Sequence, residues 1–156
     1  AVPVPGRSRA DKPPPGYSGR PFDTRKGVVP LPAVGRVATQ FGQPIAKGRT
    51  QKGLTLETVK SAQVIAPYEG RIAFSGPFRA YGELLIIEHN GGYHTLLAGM
   101  AHIDVAVGQW VLTGEPVGTM GNEVTRKPAL YWEIRRKGQP INPLPWLAVR
   151  KGKVSG

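Results

Sequence analysis

Histidine is the residue type best suited to both metal binding and proton transfer near neutral pH, and the chain has three: His89, His94 and His102. His89 and His94 flank the run Asn90-Gly91-Gly92, so their rings can approach one another across a turn. A zinc site needs three protein ligands that converge on one point. No third ligand and no carboxylate partner accompanies the pair, so turn or surface positions are expected for all three. Cysteine is absent, which excludes disulfides, thiolate metal sites and cysteine nucleophiles. The 21 Lys and Arg residues outnumber ten Asp and Glu, for a formal charge of +11. That excess favours a polyanionic neighbour such as nucleic acid, anionic lipid or a phosphate-rich envelope polymer. Nucleic acid is not expected as a partner, because no aromatics interleave on a basic strand face and no recognition motif is present.

The elements that carry these residues read as short strands. Runs at 71–74, 84–87, 93–100, 110–112 and 130–134 are apolar, three to eight residues long, and separated by Gly or Pro. This is the pattern of an all-β sandwich or barrel. Residues 83–89 and 93–100, joined by the Asn-Gly-Gly turn, make the clearest hairpin. No helical stripe exceeds two turns, and no apolar run approaches the eighteen residues of a membrane span. Residues 1–26 differ in composition. Pro3, Pro5 and Pro13-Pro14-Pro15 alternate with Arg7, Arg9, Lys12 and Arg20, without apolar periodicity. A basic Pro-rich tail is expected there, either a linker or a regulatory arm anchored by Tyr17 and Phe22. The domain then occupies 27–150, with a C-terminal tail at 151–156. The opening Ala1-Val2-Pro3-Val4-Pro5 lacks both an initiator Met and the features of a signal peptide, and suggests a piece of a longer protein.

An internal echo links residues 64–72 to 107–118, each an apolar strand, a Gly turn and a second apolar strand. Biotinyl and lipoyl carrier domains look similar, but they need a lysine at the tip of the second hairpin. That region reads Gly118-Thr119-Met120-Gly121-Asn122, so the carrier reading fails.

Over residues 30–147 the order and spacing of motifs resemble the LytM, or lysostaphin-like, zinc endopeptidases. The matching pieces include Val64-Ile65-Ala66-Pro67, Tyr81-Gly82, Leu84-Leu85-Ile86-Ile87, Glu133-Ile134-Arg135 and Gly138-Gln139-Pro140-Ile141-Asn142-Pro143. The resemblance implies an all-β fold, an antiparallel sheet sandwich of the LytM, or duplicated-hybrid-motif, type with short hairpins. Active members hold zinc through a His-x-x-x-Asp pair and the second His of a His-x-His strand, with two further histidines assisting. By this resemblance the ligand positions are Gln51, Thr55 and Tyr131, and the assisting positions are Ala129 and Gly99. All five differ from the family's residues, which implies no metal, no cofactor and no hydrolase activity.

Lys52-Gly53-Leu54, residues 130–136 and residues 138–147 further resemble the murein hydrolase activator EnvC family. That resemblance implies a non-catalytic activator of a cell-wall amidase (an N-acetylmuramoyl-L-alanine amidase), which displaces the amidase's inhibitory helix during cell division. It also implies a periplasmic location at the division site, and a coiled coil outside these residues that binds the FtsE–FtsX complex. The period of two along each strand predicts the partner groove. On one face it places Tyr131 with Ala129, Glu133 and Arg135, beside Gln51, Gly53 and Thr55. Lys52, Tyr81, Leu97 and Gly99 complete the predicted groove. An amphipathic helix with apolar anchors and an acidic residue would suit it. The alternative is a module that binds peptidoglycan directly without activating an amidase.

Overall fold

The computed structural model describes residues 12–148. The tail expected at 151–156, and residues 1–11 of the N-terminal segment, lie outside the described residues. Among the described residues the regular elements are strands, apart from two 3-10 turns, Phe22–Arg25 and Leu144–Trp146. The first half contains β1 (Gly35–Thr39), β2 (Pro44–Ala46), β3 (Arg49–Thr50), β4 (Leu54–Thr58), β5 (Gln63–Ile65) and β6 (Gly70–Phe78). The second contains β7 (Gly82–His89), β8 (Tyr93–Ala98), β9 (His102–Ile103), β10 (Trp110–Val111), β11 (Pro116–Thr119), β12 (Ala129–Arg136) and β13 (Gln139–Ile141).

Among the described residues the main sheet runs β1-β4-β12-β8-β7-β6-β10, with β13 paired to β12, and every pairing is antiparallel. A second sheet orders β5-β11-β9, and β2 with β3 forms a separate hairpin. The internal echo of the sequence has a structural counterpart. β6 pairs with β10 and β5 with β11, so the two repeats interlock rather than stack.

Alternation along β12 sorts its side chains cleanly, as the pleat requires. Leu130, Trp132 and Ile134 are fully buried in the main core, which they share with Leu54, Leu56, Val64, Ile72, Leu85, Ile87 and Val117. On the opposite face of the main sheet a smaller apolar layer of Leu84, Leu96 and Ala98 packs with Phe74, Tyr81, Ile86 and Tyr131. The candidate site stands on this second face.

Of residues 12–26, Phe22 enters the main core. Phe22 is 0% exposed, stacked on His89 at 4.9 Å and on Trp146 at 4.8 Å. Tyr17 meets Trp110 edge-on at 5.1 Å. Between these two anchors, Ser18 N–H, Ser18 O–H and Gly19 N–H donate to the buried Glu69 carboxylate at 2.7–2.9 Å. Tyr68 O–H donates to the Arg20 carbonyl at 2.7 Å. A parallel bridge between Val29 and Leu147 then joins the two ends of the domain.

Candidate functional site

β12 is the spine of the site. In register, Tyr131 lies between Thr55 of β4 and Ala98 of β8, and Glu133 lies opposite Leu96. Tyr131 and Glu133 are two residues apart and share a face. The Tyr131 O–H donates to Glu133 Oε2 at 2.6 Å, and the Tyr81 O–H reaches the same oxygen at 3.3 Å. Arg135 Nε donates to Oε1 at 2.7 Å. Glu133 is 1% exposed, so its charge depends on these three donors for compensation. Burial, followed by the hydrogen bond and charge of Glu133, raises the Tyr131 phenol pKa well above its ordinary value. Burial and Glu133 raise Tyr81 in the same sense. Both phenols therefore keep their protons at neutral pH.

Between β3 and β4, Gln51 Nε2 donates to Thr39 Oγ1 at 2.8 Å and to Thr55 Oγ1 at 3.1 Å. Gly53 has no space for a side chain, since a Cβ there would run into the Trp132 backbone, so β4 and β12 approach closely at this level. A concavity of about 350 Å³ opens above Gln51, Tyr131 and Glu133, with Lys52, Tyr81, Gly99 and Ala129 in its walls. The three positions that the family resemblance assigns to zinc ligands, Gln51, Thr55 and Tyr131, thus lie side by side. Their donor set does not fit zinc. A neutral amide and a hydroxyl bond one another, and the third group is a protonated phenol whose O–H donates a hydrogen bond to Glu133.

One predicted wall residue is elsewhere. Leu97 is 0% exposed and sits opposite Trp132 in the main core. The expectation counted two residues from Gly99 along one strand, but β8 ends at Ala98 and Gly99 has φ +105. The left-handed backbone breaks the alternation, so Gly99 and Leu97 do not share a face. Leu96 and Ala98 take the place expected for Leu97. Thr55 and Arg135 support the concavity from below and beside it, through Gln51 and Glu133 respectively.

Sequence reasoning missed Ile45. It is 54% exposed on the β2–β3 hairpin and forms the outer wall of the concavity. The available signal was an isolated Ile in the polar stretch between Gln43 and Gln51.

The histidines do not converge. His89 lies in the core rather than at the surface, with Nδ1 2.7 Å from the Glu69 carbonyl and Nε2 2.7 Å from Thr95 Oγ1. Because a carbonyl only accepts, the proton sits on Nδ1 and Nε2 accepts from Thr95. Burial holds the His89 pKa down at about 4, against an opposing contribution from the Glu69 hydrogen bond. His94 faces Arg135 across the β8–β12 pair, and His102 is exposed on β9. Among the described residues no group of three His, Asp or Glu is placed to hold a metal ion.

Residues 49–143 match peptidase family M23. The murein hydrolase activator NlpD of Escherichia coli is 37% identical over 123 residues, which cover 76% of this chain and 31% of NlpD. The murein hydrolase activator EnvC of Escherichia coli is 31% identical over 123 residues, 78% of this chain and 29% of EnvC. The chain thus spans about a third or less of the length of these curated relatives. In three dimensions it is similar to Helicobacter pylori Csd3, with a TM-score of 0.69 at 22% identity over 84% of this chain and 38% of that one. The strand order, the register around β12 and the match over 49–143 agree: the chain belongs to peptidase family M23.

Proposed function

We propose that this domain is a non-catalytic activator of a cell-wall amidase, which it engages through the groove at Tyr131 to relieve the amidase's autoinhibition during division. The observation that carries the proposal is the chemistry of the positions that the family resemblance assigns to zinc ligands: Gln51 bonds Thr39 and Thr55, and Tyr131 bonds Glu133, an amide, a hydroxyl and a phenol committed to protein partners. Such a set has no means of bringing the pKa of a water from about 15.7 towards 7, which is the first requirement of a zinc hydrolase. What the positions retain is a shaped, half-apolar surface with a Tyr at its centre and Lys52 and Arg135 at its margins. Aromatic and Arg residues of this kind carry most of the energy at protein interfaces. The activator names of the relatives NlpD and EnvC support the same reading. A periplasmic location at the division site, and a link to the FtsE–FtsX complex, belong to this proposal.

The test mixes the 156-residue chain with the amidase of the same organism and dye-labelled sacculi, and measures dye release. Stimulation by the wild type is expected, with loss in Tyr131→Ala and Arg135→Glu. No stimulation, or full stimulation by both variants, overturns the groove reading. Strong sacculus binding without stimulation favours direct peptidoglycan recognition instead.

A further inference from the structure

We propose that the groove continues past Gly99 and Ala129 into a second lobe, and that this lobe receives an acidic stretch of the same partner protein. The inference rests on the amidase-activator reading above and adds a second determinant to it.

The second concavity, about 420 Å³, is larger than the one over Tyr131. Gly99 and Ala129 line both. Both are exposed, so only backbone and one methyl group form the saddle between the lobes. The saddle is also kept low by geometry. A Cβ on Gly99 would collide with the Ala129 carbonyl, and the left-handed backbone there disfavours any side chain. An occupant of the first lobe can therefore run on into the second without meeting a barrier.

Charge indicates what runs across. Met100 and Gly121 floor the second lobe, and Glu123, Arg126 and Lys127 stand on its rim, a formal balance of +1. Arg126 Nε is 3.2 Å from Glu123 Oε1, but both side chains are largely in solvent, so an incoming carboxylate can compete for the guanidinium. Lys127 has no hydrogen-bond or ion-pair partner among the described residues. At the other end of the path Lys52 is exposed beside the first lobe, while Glu133 is already committed to Arg135. Cations thus bracket a saddle that carries no side chain beyond one methyl group. That layout suits a segment with a small or apolar residue at the saddle and acidic residues on either side of it.

The test measures binding of the fluorescently labelled amidase of the same organism to the full chain, by anisotropy at low and high salt. Arg126→Glu with Lys127→Glu reverses the rim, and Ala129→Phe plugs the saddle. Tyr131→Ala reports on the first lobe alone. Each second-lobe variant is expected to weaken binding tenfold or more, and the charge reversal also to flatten the salt dependence. The reversed residues are exposed loop positions, so an unchanged melting temperature confirms that folding is intact. Wild-type affinity in both second-lobe variants, with loss in Tyr131→Ala, overturns the second lobe and leaves the groove reading standing. Unchanged amidase binding with lost binding to purified sacculi assigns the lobe to a cell-wall peptide and overturns the proposal. No amidase binding by the wild type removes both readings.

Discussion

Tyr131 donates its phenol proton to Glu133, two residues along the same strand, with 2.6 Å between the oxygens. That single bond makes Tyr131, the position that the family resemblance assigns to a zinc ligand, a support for a buried carboxylate. The strand pleat makes it possible, because residues i and i+2 of β12 project from the same face.

Removing a donor from Glu133 should therefore destabilise the fold. Arg135→Met is expected to cost about 1.5–3 kcal/mol, towards the lower end because the Arg135 side chain is 32% exposed. Tyr131→Phe should cost about 1 kcal/mol. Adding Glu133→Gln to Arg135→Met should shrink the Arg135 effect, since the charge left behind is gone. Urea unfolding of these three variants and of Glu133→Gln alone measures this, and equal midpoints for Arg135→Met and wild type would refute it.

His89 predicts a pH dependence. Its folded pKa is about 4 against an ordinary 6.5, so between these values the unfolded chain binds the extra proton. Stability should be fully present above pH 6.5 and fall as the pH drops towards 4, by about 3 kcal/mol in all from this residue. Unfolding free energies at pH 7.5 and 4.5 give the slope. His89→Gln should lower stability at pH 7.5 and remove most of the slope; a variant with the wild-type slope would assign it to other groups.

Phe22 is the principal anchor of the N-terminal segment, and it contributes a full aromatic ring to the core. Phe22→Ala should cost about 3–5 kcal/mol, as large-to-small changes at buried aromatic sites do. A fragment confined to residues 49–143 lacks both Phe22 and Trp146 and is expected not to fold cooperatively. Circular dichroism melts check both, and a sharp transition in the short fragment would disprove the second.

The thermal midpoint of the domain should not respond to zinc. A ligand that binds only the folded state raises stability by mass action, by about 2.7 kcal/mol at a hundred times its dissociation constant. Melts with added zinc and with EDTA should therefore superimpose. A zinc-dependent rise, or stoichiometric zinc in the purified protein, would restore a metal site.

The groove face of β12 was readable from sequence because a period of two survives over eight uninterrupted residues, and Tyr131, Glu133 and Arg135 share one network. Leu97 was misplaced because the same arithmetic was carried across Gly99, where the backbone leaves the β region. His89 beside a Gly-rich turn looked like a surface residue. What buries it is Phe22, 67 positions earlier in sequence, in a segment whose prolines and arginines conceal one deeply packed ring. Ile45 was missed for a related reason. A short exposed hairpin gives no periodic signal, and only the folded sheet shows what it leans over.

The anchoring of residues 17–22 has a mechanical consequence. Tension applied to the chain ahead of residue 12 enters the fold at Tyr17 against Trp110 and at the Glu69 carboxylate, and passes next to Phe22. Phe22 lies in the main core, on the other face of the sheet from Tyr131. A pull on this end would have to draw an aromatic plug from the core before it could distort the face that carries Tyr131.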